Sequence, residues 1–244
     1  MAQRILGLIP ARGGSQGVPR KNVRLVGGAP LVCWTWIAAQ AVPAIERLVV
    51  STDDPEVASL ARAAGIDVPF IRPPYLSSDT VSAFAVVEHA LGWLEKAEGY
   101  RPDVVLWLQP TSPLRTAQDI QAAIALLERS SAFSVVSVCE AEHHPFWTFS
   151  MSADGVLRLL MDQGKSSTRR QELPRAYRVN GAIYLARRDV LLEQQTFDLE
   201  PSLGYVMPAE RSIDVDSPWD LYLADLVLKD RAASSPADGT QCRK

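Results

Sequence analysis

Cysteine is scarce in this chain: Cys33, Cys139 and Cys242 are odd in number and far apart, which excludes a disulfide framework and a zinc knuckle. Cys33 and Cys139 read as small core residues, and Cys242 as a tail thiol. No apolar run reaches 18 residues, and the apolar stretch near the N-terminus is too short for a secretory signal, so the expected location is the cytoplasm with no membrane partner. An excess of positive charge is also missing. The formal net charge is −3 and no basic patch rises above background, which argues against nucleic acid as a main partner. Two phosphate-binding spellings are absent as well. The P-loop pattern GxxxxGK[ST] fails because Val18 or Pro19 stands where its second glycine belongs, and GxGxxG fails because Arg12 lies two positions before Gly14. The second failure disfavours a nicotinamide-dependent oxidoreductase.

What the chain does have is an ordinary globular composition, 47% apolar and 22% charged over 244 residues, enough for one well-buried domain. Short apolar runs at Ile5–Ile9, Arg47–Ser51, Val68–Ile71, Val104–Leu108 and Ser134–Val138 read as strands. They alternate with helical patterns at Leu31–Ala41, Pro55–Ala64, Val81–Glu95 and Ala117–Glu128. This rhythm predicts an α/β fold, a mostly parallel sheet with helices on both faces. Asp54-Pro55 and Thr116 read as helix starts, Ser77-Ser78-Asp79-Thr80 as another N-cap, and Gly65 as a stop. After residue 139 the rhythm breaks. Residues 140–173, with His143-His144-Pro145-Phe146-Trp147 and an Asp154-Gly155 turn, read as a hairpin-rich excursion that either covers its own sheet or meets a second subunit. The two histidines have no third ligand at metal spacing and read as hairpin-entry or packing groups. Arg178–Ala186 and Ile213–Val215 read as returning strands, Trp219–Leu228 as a closing helix, and 232–244 as a frayed tail.

The segment after the first strand carries the most chemistry. Gly13 and Gly14 let backbone amides approach an anion, while Arg12, Arg20 and Lys21 supply charge, at the carboxyl edge of the sheet where open α/β folds bind ligands. The stretch reads as a triphosphate grip. In Asp214-Val215-Asp216, alternation sends both carboxylates to one face, either as a magnesium site completed by water and phosphate or as a solvated helix entry before Ser217-Pro218. The turn Gln109-Pro110-Thr111-Ser112-Pro113 is stiffened by its prolines and presents Gln109 to a polyol, or is simply structural. Arg169, Arg170 and Arg178 near Asn180-Gly181 offer forks for a carboxylate, or are surface charges.

In order and spacing, IPARGGSQGVPRKN, VSTDDPEVA, LSSDT, LQPTSPLR, EHHP, RVNGAIY and SIDVDSPWDL resemble the acylneuraminate cytidylyltransferase family, the CMP-sialic acid synthetases, over about residues 4–228. The resemblance implies a Rossmann-like nucleotidyltransferase fold and transfer of CMP from CTP to a nine-carbon 2-keto sugar acid, with Mg²⁺ and release of pyrophosphate. Carried over by position, Arg12, Gly13, Gly14, Ser15, Lys21 and Asn22 look like the CTP loop, and Arg72 and Ser82 like the cytosine-reading region. Gln109, Arg170, Asn180, Tyr184 and Phe197 resemble the sugar-acid pocket, and Asp214 and Asp216 the magnesium carboxylates. The expected catalytic groups are Lys21, Arg12 and Asp216. The resemblance further implies a homodimer in which residues 140–175 complete the neighbour's pocket. Gln16, Trp147, Asp198 and Ala83 depart from the family pattern, three of them near the sugar acid or the base. A catalytically silent nucleotide-binding module of the same fold is the alternative.

Overall fold

The computed structural model describes residues 3–15, 17–161 and 169–234. Gln16, Cys242 and the side chain of Arg170 lie outside the described residues. Six strands form one sheet: β1 (Ile5–Pro10), β4 (Ile45–Ser51), β5 (Val104–Trp107), β6 (Ser134–Glu140), β9 (Tyr177–Arg187) and β10 (Ser202–Val206), in the order β10-β6-β9-β5-β1-β4. The pairs β1–β4, β1–β5 and β6–β10 are parallel, whereas β9 is antiparallel to both its neighbours. The expected mostly parallel sheet is present. Because β9 runs the other way, its early residues 178–181 reach the edge where β5 ends.

Period-two alternation in β1 builds both faces. Ile5 and Ile9 join a core cluster with α1 (Leu31–Gln40), α2 (Pro55–Ala63) and α4 (Ala117–Glu128), while Leu6 and Leu8 pack with α3 (Ala83–Glu98) and α5 (Arg188–Gln194). Helix starts follow the sequence signals. Asp54 accepts from the Glu56 amide at 2.8 Å, and Thr116 and Asp119 form a reciprocal capping box. Gly65 follows α2 at φ +73°, as a stop requires.

Several boundaries differ from expectation. Val68–Ile71 does not join the sheet: only Asp67 bridges to Val49, and the chain then turns so that the Arg72 amide donates to the Thr52 carbonyl. Ser82, rather than residues 77–80, caps α3, accepting from the Ala85 amide at 3.2 Å. Ile213–Val215 is extended but irregular, because the Val215 amide donates to the Thr111 carbonyl, 2.8 Å away, instead of entering a strand ladder. The closing helix α6 spans Pro218–Ser234, so the described part of the supposed tail is helical. Its start is fixed by Ser217 and Asp220, whose side chains cap each other's backbone amides.

A third cluster secures the site. Val26 and Ala29 belong to a two-strand ribbon, β2 (Leu25–Val26) and β3 (Ala29–Pro30), and Val26 packs with Leu31, Leu114, Val215, Ala224 and Leu228. Val215 is fully buried there, worth roughly 1.5–3 kcal/mol, and its two aspartate neighbours are thereby turned toward the cleft. In the excursion, β7 (Phe149–Met151) and β8 (Leu157–Leu159) form the expected hairpin, with Gly155 at φ +85° in its turn. His144 bridges it to the returning chain. Its Nδ1 accepts from the Phe146 amide, so Nε2 donates to the Pro174 carbonyl at 2.9 Å.

Candidate active site

The loops leaving β1 and β5 meet the 72–86 stretch and the 214–216 segment around a cleft of about 390 Å³. Arg12, Ser15, Lys21 and Asn22 line one side, Gln109, Thr111, Asp214 and Asp216 another, and Arg72, Asp79 and Ser82 a third. The glycine loop is braced by its own polar groups. The Asn22 amide donates to the Arg12 carbonyl at 2.9 Å, and the Gly13 amide donates to Asp53 at 2.9 Å. Lys21 crosses to the second half of the site, donating to the Val215 carbonyl at 2.7 Å and to Asp216 at 2.9 Å. Arg12 is ion-paired with Asp79. Arg20 is the exception among the three cations: held at φ +54°, it turns to Glu56 on α2 and to the Asp54 that caps it, and does not line the cleft.

The two aspartates differ in environment. Burial, above all, raises the pKa of Asp214; nearby Asp216 adds to this, while a Thr111 hydroxyl bond and Lys21 oppose it. Asp214 Oδ1 is buried with no hydrogen-bond partner among the described residues. Such an atom is costly unless something meets it. Asp216 is three-quarters exposed. Arg72 lies almost wholly inside, with its guanidinium bound to the Ser51 hydroxyl and carbonyl, and burial lowers its pKa to about 10, leaving it charged at neutral pH.

The sugar-acid residues named from the sequence divide. Gln109 lines the cleft. Tyr184 and Phe197 stand behind it, edge to face at 5.8 Å, with Phe197 also 5.8 Å from the cleft-lining Trp107. Asn180 is fully buried: it donates to Ser212 and Met207 and accepts from Ser137 and the Ala182 amide, which occupies its side-chain amide. Arg178 is exposed, its guanidinium 3.5 Å from the Ser212 carbonyl, and Arg169 pairs with Glu172.

Three features escaped the sequence reading. Gly181, at φ +74°, lets Gln109 and Asp214 close in: a Cβ there would lie 2.9 Å from Gln109 Oε1 and 3.0 Å from Asp214 Oδ2. Gly17 does the same for the loop, since a Cβ would overlap the Asp216 carbonyl oxygen. Arg115 is buried beneath the proline turn, donating to the carbonyls of Gln109 at 3.2 Å and Ala182 at 2.7 Å. Glycines that permit close approach inside a conspicuous motif were a usable signal for the first two.

A sequence model of the cytidylyltransferase family matches residues 6–207. The chain belongs to the cytidylyltransferase family. Among its relatives, this cytidylyltransferase is 35% identical over 230 residues to the CMP-N,N'-diacetyllegionaminic acid synthase of Legionella pneumophila, covering 93% of this chain and 97% of that protein. It is 30% identical over 224 residues to the N-acylneuraminate cytidylyltransferase of Escherichia coli, covering 92% of this chain and 52% of that one. A solved CMP:2-keto-3-deoxy-manno-octonic acid synthetase complexed with CTP superposes with a TM-score of 0.68 at 19% identity, covering 93% of this chain and 99% of that one, and so shares the fold. The resemblance and the Rossmann-like nucleotidyltransferase fold expected from the sequence are both borne out.

Proposed function

We propose that this cytidylyltransferase transfers CMP from CTP to the anomeric 2-hydroxyl of a nonulosonic acid, N-acetylneuraminate or a close relative, and releases pyrophosphate. The observation that carries the reading is Lys21, which joins the glycine loop to Val215 and Asp216 across one cleft. In the reaction the 2-hydroxyl oxygen forms a bond to the α-phosphorus as the bond to the pyrophosphate oxygen breaks in line. Pyrophosphate leaves with the electron pair. Arg12 and Lys21 neutralise its growing charge, and Asp216 is our candidate to accept the hydroxyl proton. Arg72 and Ser82 are assigned to the cytosine end, and Gln109, Tyr184 and Phe197 to the acceptor. Arg170 is assigned to the acceptor carboxylate from its sequence position alone.

A magnesium ion fits Asp214 and Asp216, because the unpartnered Asp214 Oδ1 is the kind of hard oxygen donor it takes, with substrate phosphates completing its shell. Asp214 and Asp216 are the carboxylates that would hold it. When bound, the ion neutralises charge on the phosphates. The acceptor class is supported by relatives whose names specify legionaminic and neuraminic acids. We also propose a homodimer formed through the 140–175 excursion, supported by exposed Phe149, Met151, Leu157 and Leu160 on one hairpin. Light scattering at micromolar protein tests it, and a monomeric mass refutes it.

Pyrophosphate release assayed with the four nucleoside triphosphates against N-acetylneuraminate, legionaminate, pseudaminate and the deaminated acid tests the activity. The expected result is metal-dependent release from CTP with at least one acid. Release with none of them leaves the silent nucleotide-binding module standing.

A further inference from the structure

Three of the groups suited to phosphate are met by a carboxylate of this chain: Arg12 by Asp79, the Gly13 amide by Asp53, and Lys21 by Asp216. Two of these have evident purposes. Asp53 braces a loop backbone, and Asp216 belongs to the proposed metal pair. Asp79 does neither. It sits on the turn between the 3₁₀ segment Pro74–Leu76 and α3, lines the cleft, and reaches across to a side chain on the opposite loop.

Arg12 does not need Asp79 to hold its backbone. The Asn22 amide already fixes the Arg12 carbonyl, so the guanidinium can change partners while the loop stays in place. Both side chains of the pair are about one-third to two-fifths exposed, 32% and 43%, so the exchange has solvent access. A phosphate that uses the Arg12 fork must compete with a carboxylate for the same donors, and it also approaches that negative charge.

We propose that Asp79 is an internal competitor for Arg12, a selectivity residue whose carboxylate a nucleotide phosphate displaces and which reclaims the guanidinium as pyrophosphate leaves. The inference rests on the reading of this cleft as the CTP site. It makes the site reject weak anions and release its charged product, at the cost of some affinity for every ligand that touches Arg12. A ligand lacking phosphate escapes the competition.

Asp79→Asn keeps the shape and removes the charge. Calorimetric titration of wild type and variant with CTP, pyrophosphate and cytidine is the test, with cytidine followed by competition if it is weak. For a half-exposed ion pair the variant is expected to bind CTP and pyrophosphate about two- to fivefold more tightly. Cytidine binding stays unchanged, Asp79→Glu returns the wild-type values, and in an Arg12→Gln background Asp79→Asn tightens CTP binding less, by the part due to charge repulsion alone. Weaker CTP binding by Asp79→Asn would show that Asp79 orients Arg12 rather than competes for it, and equal tightening of cytidine would show a general loosening; either overturns the proposal. If the wild type binds CTP but the variant matches it, the competitor role fails while the CTP site survives. If the wild type binds no CTP, the reading of the cleft fails first.

Discussion

Replacing Gly181 by alanine tests the spacing of the acceptor side of the cleft most directly. The residue sits in β9 at φ +74°, a conformation that costs an L-residue with a side chain about 1–2 kcal/mol. The added Cβ would stand 2.9 Å from Gln109 Oε1 and 3.0 Å from Asp214 Oδ2, so these oxygens must retreat by roughly half an ångström to reach ordinary contact. Asp214 has little room to do so, since the next residue is tied to Thr111 by a 2.8 Å backbone bond and Val215 is locked into the α6 core. The sum is a loss of about 2 kcal/mol, or ~4–8 °C in Tm for a chain of this size. Displacement by 1 Å can cost about a hundredfold in rate, so half of that predicts roughly a tenfold fall in kcat. CTP affinity should change little, because the nucleotide-side residues Arg12, Lys21 and Arg72 are not touched. Initial rates of pyrophosphate release and scanning calorimetry read both effects. A variant with lowered Tm but full kcat would refute the spacing argument and leave Gly181 a packing residue.

Gly17→Ala should act on the other half: its methyl would overlap the Asp216 backbone carbonyl and force loop and segment apart, lowering Tm and raising the magnesium concentration needed for half-maximal rate severalfold, as scanning calorimetry and metal titrations would reveal. Asp216→Asn should cut turnover far more than CTP binding, which steady-state kinetics and direct titration separate; equal losses in both would contradict the role assigned to it. Asp119→Asn concerns stability. Burial alone would raise the Asp119 pKa, but bonds from Arg211, Thr116 and Tyr205 outweigh it and hold the folded value below 3.8. Its stabilisation is therefore present above the unfolded pKa and lost as pH falls through the folded one. Denaturant unfolding should show the variant about 2–3 kcal/mol weaker at pH 7, with the difference shrinking as pH falls through the lowered folded pKa; a difference independent of pH would refute the ionic origin.

The parts legible in the sequence were those with local rules behind them. The glycine loop, the Asp54 and Thr116 caps, the stop at Gly65 and the alternation of Asp214 and Asp216 about Val215 all follow from nearest neighbours along the chain. The rest depended on distant partners. Ile213–Val215 has a strand's pattern, yet its amide is claimed by a turn about a hundred residues earlier. The edge strand β10, Ser202–Val206, is broken by Gly204 and carries too little apolar character to announce itself. Arg115 and Asn180 look like surface or site residues because they are polar, and only the folded chain shows carbonyls and hydroxyls waiting for them inside. Arg20 is spelled like its neighbour Lys21 but faces away, a distinction made by one left-handed residue.

The bond from Lys21 to Asp216 spans 195 positions, so the two halves of the cleft are synthesised far apart in time. A nascent chain that has emerged through β9 already owns the sheet's central strands and the glycine loop, but lacks both carboxylates and the helix that buries Val215. Pairing over such a separation is slow and comes late in folding. On the proposed reading, competence for transfer therefore waits on the docking of α6, which holds Val215 and with it the two carboxylates in place.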